Sequence, residues 1–224
     1  MPVFSFVSSK GGVGKTTSAV VLAGELVASG RSVIMIDADP NRPLMLWSEL
    51  RPLPEGLSVI ADESAETLID TIDDARSRAH FVIVDLEGTA TDRIGFAVTR
   101  SDLVLVPMQA SVLDANEAVK AIKLVKQMGR VAGREIAYRL FFAKLAPAIR
   151  EKTAKDLEAQ LAANGANVLP SGIVDRAAFR AIFSLGGTLH TLNTTDVGGL
   201  AAAKENALTF AQGVIEALKK KAAA

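Results

Sequence analysis

The sequence contains no cysteine. Disulfide bridges, thiolate zinc sites and iron–sulfur clusters are excluded together by that one absence. No stretch approaches the run of about 18 apolar residues that a membrane-spanning helix requires. Met1 to Val7 reads as a short strand leading into a glycine loop rather than as a signal peptide. A soluble, cytoplasmic protein is therefore expected. Lys and Arg together number 25, as do Asp and Glu, so formal net charge is zero and no global basic field draws the chain to nucleic acid. Internal repeats, low-complexity tracts and Pro/Gly/Ser-rich linkers are also missing, and a single domain over residues 1–224 is expected.

What is present is polarised along the chain. Between Glu55 and Asp92 there are ten acidic and two basic residues, and between Val119 and Lys155 ten basic and two acidic. Hydrophobic residues make up 49% and charged ones 22%, which is the balance of an ordinary globular protein. Short apolar runs rich in β-branched residues, Val3–Val7, Ser32–Ile36, Leu57–Ala61, Phe81–Asp85, Leu103–Pro107 and Ile136–Ala143, alternate with helical spacing over Thr16–Ser29, Ala65–Arg78, Leu113–Arg130, Lys152–Ala163 and Leu200–Lys221. Gly165–Gly172 reads as a loop with a possible short strand. Continuous rather than alternating apolar strands mean burial on both faces, so an α/β fold is expected, three layers with a mostly parallel twisted sheet and helices on both faces. Ligands in such folds sit beyond the carboxyl ends of the strands.

The first strand ends there in Lys10, Gly11, Gly12, Val13, Gly14, Lys15, Thr16 and Thr17, followed by a helix. This is a deviant phosphate loop, with Ser9 where the usual pattern has its first glycine, so the expected α/β fold is a three-layer P-loop NTPase. Glycines let the backbone wrap a phosphate chain, and N–H groups at the start of a helix favour anions. Lys15 can reach the β- and γ-phosphates of ATP, Thr16 is placed to bind Mg2+, and Thr17 is placed for the α-phosphate. The run Phe81–Asp85 is an apolar strand ending in aspartate, so Asp85 is expected to hold magnesium through water. Asp37 and Asp39 close the second strand in the same way.

Three segments carry a family resemblance: KGGVGKTT at Lys10–Thr17, DADPNRPLMLW at Asp37–Trp47 and VIVDLEGTA at Val82–Ala90. With them the chain resembles, over nearly its whole length, the ParA/MinD group of deviant-Walker ATPases. It is most similar to short plasmid-partition ParA proteins and VirC-type ATPases of DNA-transfer systems, which share a GTLHTLN-like stretch, here Gly187–Asn193. The resemblance implies that Lys10 reaches across a nucleotide-sandwich homodimer to the partner's phosphates, that Asp39 orients the attacking water and that Asp37 lies behind the magnesium. It also implies that the loop after the sixth strand and the segment around Ile173 to Arg176 flank the adenine, although Ala143 and Lys144 of that loop give no clean motif. One departure is clear. Family members follow the Walker B aspartate with a proline-rich pair, whereas Asp85 is followed by Leu86, Glu87 and Gly88. Glu87 could compete with Asp39 for the water, but a solvent-facing loop side chain is the preferred reading.

Partner surfaces follow from charge. Lys120, Lys123, Lys126 and Arg130 share one side of the helix Leu113–Arg130, opposite Ala118, Ile122, Val125 and Met128. This stripe is either a footprint for DNA phosphates, read without sequence preference, or a solvated helix face. Arg176, Arg180 and Lys219–Lys221 are further DNA candidates, and nucleoid association would follow. No helix-turn-helix precedes the glycine loop, so operator binding is not expected of the chain alone. The resemblance implies a centromere-binding, ParB-like adaptor or a relaxase assembly as partner. A membrane-cycling, MinD-like reading would need the last helix to lie on lipid, but packing on the sheet is expected instead. Reductase relatives require a cluster that the absent cysteines cannot ligate, and tyrosine-kinase relatives end in tyrosine clusters whereas only Tyr138 is present. A metabolite kinase or synthetase is disfavoured by the signature lysine Lys10.

Overall fold

Each apolar run becomes a strand of one sheet: β1 (Val3–Phe6), β2 (Val33–Ala38), β3 (Leu57–Ala61), β4 (Phe81–Leu86), β5 (Leu103–Met108) and β6 (Ala137–Phe142). The computed structural model describes residues 1–62, 64–88, 92–145, 152–163 and 165–222. Strand order is β3-β2-β4-β1-β5-β6 and every pairing is parallel. The sheet is thus more uniform than the mostly parallel one expected.

The strands are apolar throughout because alternate residues feed two cores. Phe4, Phe6, Met35, Ile83, Leu105 and Phe141 face one side, where they meet helices α1 (Lys15–Ala28), α2 (Pro43–Glu49), α7 (Ala177–Leu185) and α8 (Leu200–Ala222). Val3, Ile36, Val84, Val106 and Leu140 face the other, beneath α3 (Leu68–Arg78), α4 (Asp92–Arg100), α5 (Val112–Val131) and α6 (Lys152–Ala163). These are the three layers. α8 buries Ala203, Ala207, Phe210, Ala211 and Val214 in the first core, with Phe210 against Phe141, so its apolar side is occupied within the fold.

Helices α2, α4 and α7 have 7, 9 and 9 residues and were not among the helices expected from spacing. They are too short for a periodic pattern to declare itself, and α2 takes its start from a carboxylate outside its own segment. The loop at 165–172 does carry an isolated parallel bridge, Leu140↔Val168.

Crossovers place the chemistry. The chain leaves β1 towards β2 on one side, and after β4 it crosses β1 to reach β5 on the other. The carboxyl ends of β1 and β4 therefore flank the point where strand order reverses, the crevice in which open α/β sheets bind ligands.

Candidate nucleotide and metal site

Gly12 (φ 70°) and Gly14 (φ 108°) hold left-handed backbone in the loop between β1 and α1. Gly14 is the N-cap of α1, no side chain caps that end, and its first turn has no acidic residue. The leading N–H groups of a 14-residue helix are thus left for a ligand, and their partial positive charge selects an anion. Lys15 stands in the first turn at 7% exposure. Burial holds its ammonium below the ordinary lysine range, while Asp85, Asp39 and Glu87 pull in the opposite direction.

Parallel register sets Asp37 beside Asp85 across β2 and β4. The Thr16 hydroxyl donates to Asp85 Oδ2 at 2.6 Å, while Asp85 Oδ1 is buried without a hydrogen-bond partner. Burial pushes the Asp85 carboxyl up to about 7 against the lowering influence of Thr16 and Lys15. A hydroxyl, a buried strand-end carboxylate and one orphaned oxygen are a donor set that fits magnesium, which takes one or two protein oxygens and completes its shell with water and phosphate. Among the described residues no cluster of three His, Cys, Asp or Glu side chains offers an all-protein metal cage.

Asp37, expected to lie behind the magnesium, accepts hydrogen bonds from the backbone in this geometry. Its Oδ2 accepts the backbone N–H groups of Leu44 (2.8 Å) and Met45 (2.9 Å), and Oδ1 accepts that of Asp39 at 3.3 Å. The side chain therefore anchors the start of α2, and burial raises its carboxyl above the usual range despite those three bonds. Asp39 lies in the cleft, its Oδ1 accepting from the backbone and side-chain amides of Asn41 at 2.9 Å.

Glu87 is corrected by the structure. It is only 16% exposed and pairs with Arg93 at 2.5 Å, so it is not a solvent-facing loop side chain. The next residue, Gly88, abuts the glycine loop: a Cβ there would stand 2.8 Å from Gly11 N and 3.1 Å from Gly11 Cα. Thr89 and Ala90, which end the third motif, lie outside the described residues.

Lys10 turns out of the cleft towards α5, where its ammonium meets Asp114 Oδ1 at 2.8 Å. Burial pulls the Asp114 carboxyl upward, but hydrogen bonds from Lys10 and Ser111 outweigh it and hold the group below the usual range. Ser9 likewise donates to Glu117 Oε2 at 2.5 Å. The glycine loop is therefore tied to the same helix that carries the basic stripe. On that helix Lys120, Lys123, Lys126 and Arg130 are all exposed, with Ala118, Ile122 and Val125 buried opposite. Lys120 pairs with Glu117 at 2.7 Å.

The phosphate cleft, about 550 Å³, is lined by Ser9, Gly11, Gly12, Gly14, Lys15, Thr16, Thr17, Asp39, Asn41, Pro43, Glu87, Gly88 and Lys144. Val13, expected among the phosphate contacts, is buried at 2% exposure and is not part of that lining. A second cavity of about 360 Å³ opens beside it, lined by Thr17, Lys144, Ile173, Val174, Asp175, Phe179, Arg180 and Phe183. Ile173 is thus where a base contact is expected, but Arg176 does not line the cavity. Arg176 is the N-cap residue of α7, and its Nε is buried without a partner. Arg180, taken from sequence for a DNA contact, faces this cavity and is paired with Asp175.

The sequence motifs also meet one another. The Trp47 indole N–H donates to Gly187 O at 3.0 Å, Arg51 donates to Thr191 O at 3.0 Å, and His190 lies 2.8 Å from Glu25 of α1. Asp114 and Glu117 were missed from sequence, and Gly88 and Lys144 were noticed there without a role. Only the Ser111-x-x-Asp114 spacing, a helix-start pattern, gave a local hint.

Comparison with known proteins places this geometry. The family described as VirC1 protein matches residues 1–220. Protein ParA of Rhizobium radiobacter is 38% identical over 218 residues, covering 97% of this chain and 98% of that protein. Among solved structures, an ATP complex of Cyanothece McdA shares the fold with a TM-score of 0.75 at 19% identity, over 98% of this chain and 96% of that one. MinD of Pyrococcus horikoshii complexed with Mg-ADP has a TM-score of 0.72 at 16% identity, covering 98% of each chain.

Proposed function

The chain belongs to the VirC1 family within the ParA/MinD group of P-loop ATPases, and from that membership we propose that it binds ATP with magnesium, pairs with a second copy around the nucleotide and hydrolyses it slowly. The observation that carries this reading is the uncapped start of α1, with the Lys15 ammonium and the Thr16–Asp85 pair in the same cleft. An anion, a metal and a charge-neutralising cation are all provided for within one crevice.

Hydrolysis in such a site is mainly a matter of positioning and electrostatics. Backbone N–H groups from Gly11 to Thr17 orient the phosphates, and Lys15 offsets charge on the transferred group. Thr16 and Asp85 would hold magnesium, which when bound supplies further neutralisation of the phosphate oxygens. Asp39 lines the cleft and is assigned the orientation of the attacking water. Lys10, now held by Asp114 at 48% exposure of its own side chain, is the group that would cross to the partner's phosphates. Adenine falls to the cavity beside Thr17 and Ile173.

The cellular task that fits is DNA segregation. ATP-bound dimers would hold DNA without sequence preference through Lys120, Lys123, Lys126 and Arg130, and a centromere-binding adaptor would stimulate hydrolysis and release. The match to the VirC1 family supports a second reading, in which the same cycle serves a relaxase assembly. Lipid cycling is disfavoured because the apolar side of α8 is buried in the core. Calorimetry and light scattering test the proposal together. The wild type is expected to bind Mg-ATP and dimerise with it, Lys15→Ala to lose binding, and Lys10→Ala to bind yet remain monomeric. A Lys10→Ala protein that dimerises normally overturns the sandwich arrangement.

A further inference from the structure

The loop after β6 brings a second lysine, beside Lys15, to the phosphate cleft. Lys144 is exposed, yet its position is closely determined. It holds left-handed backbone (φ 55°), which a side chain other than glycine adopts only where its surroundings require it. Those surroundings are on both sides of it. Leu145 N–H donates to Ile173 O at 3.0 Å and Asp175 N–H donates to Leu145 O at 2.8 Å, which clips the loop to the wall of the second cavity. On the other side the turn rides on the glycine loop: a Cβ on Gly14 would stand 3.3 Å from Ala143 Cβ and 3.8 Å from Lys144 Cε. The Lys144 ammonium donates to Gly12 O at 2.6 Å and pairs with no carboxylate among the described residues.

Lys144 and Thr17 are the two residues that line both the phosphate cleft and the second cavity. A nucleotide spanning the two must pass between them with its sugar and the phosphate nearest to it. We propose that Lys144 is a nucleotide-binding residue that pairs with the sugar-proximal phosphate, a contact that rests on the ATP reading given above and extends it to a named side chain. On binding, the ammonium exchanges a neutral carbonyl for an anionic oxygen, and charge-assisted hydrogen bonds are the stronger kind. Asp175 is already paired with Arg180, so among the described residues Lys144 is a cation without a carboxylate partner at this junction. The sugar-proximal phosphate is common to ATP and ADP. Lys144 therefore strengthens both by one factor and does not sense the terminal phosphate.

The test compares Mg-ATP and Mg-ADP binding by calorimetry for the wild type, Lys144→Met and Lys144→Gly. Methionine keeps the apolar stem, while glycine suits the left-handed backbone, so the pair separates loss of charge from loss of loop geometry. Both variants are expected to weaken ATP and ADP alike, by about tenfold, and Lys144→Arg to recover most of the affinity. Unchanged affinity in the two uncharged variants, or a loss confined to ATP, overturns the assignment while leaving the ATPase reading intact. A wild type that binds neither nucleotide overturns that reading, and this assignment with it.

Discussion

Asp85 is a buried carboxylate with one oxygen left without a hydrogen bond, and replacing it should stabilise the fold while, on the proposed reading, disabling the site. Burial moves its carboxyl from the ordinary 3.8 up to about 7. Between those values the folded protein keeps a proton that the unfolded chain releases, so stability falls as pH rises through the window and is level above it. At about 1.4 kcal/mol per tenfold, the full cost at pH 8 is about 4 kcal/mol. Asparagine removes the charge and still offers an oxygen to the Thr16 hydroxyl. The attraction of Lys15 is already contained in that value, but the asparagine NH2, standing where Oδ1 has no partner, takes back part of the gain. Asp85→Asn should therefore exceed the wild type by about 2 kcal/mol at pH 8 in urea denaturation with EDTA and no nucleotide, and the difference should close or reverse at pH 5, where more than half of the ionisation cost is gone. Calorimetry on the same material should show Mg-ATP binding lost. A variant less stable than the wild type at pH 8, or a gap that does not change with pH, would refute the reasoning.

Gly88→Ala tests whether the loop after β4 rests on the glycine loop. The new methyl would meet Gly11 N at 2.8 Å, a backbone atom that cannot swing aside, so Mg-ATP affinity should fall at least about tenfold and stability by about 1 to 3 kcal/mol in calorimetry and thermal unfolding. The α5 stripe is tested by combining Lys120→Glu, Lys123→Glu and Lys126→Glu. ATP-dependent DNA retention should be lost and the logarithmic salt slope of any residual binding should fall by about three, while Mg-ATP affinity stays within about twofold. Filter binding across a salt series measures the first two, and full retention would mean that another surface carries the DNA.

Sequence reasoning reached the cradle itself because its parts are contiguous. Lys10 to Thr17 is one stretch of backbone, and Asp37 and Asp85 stand where apolar strands stop. The neighbours of that cradle were hidden because they are close only in space. Asp114 and Glu117 approach Lys10 and Ser9 from more than 100 positions away, and Lys144 reaches Gly12 from 132. Helix α2 escaped for a related reason, since its first amides are held by Asp37 seven residues upstream of Leu44 rather than by a residue at its own start. Glu87 was misjudged because its partner Arg93 lies six residues further along, on α4. Strand identity was legible from composition alone, because two buried faces leave no polar alternation to confuse.

The protein's one indole sits at 1% exposure in α2, the helix that opens directly behind Asp39 and Asn41. Its N–H holds the carbonyl of Gly187, and the segment beyond that carbonyl reaches α1 through His190 and Glu25. Emission from Trp47 is consequently an internal gauge of how α2 sits against the rest of the molecule. With no second indole to contribute background, stopped-flow mixing with nucleotide can time that helix without any attached dye.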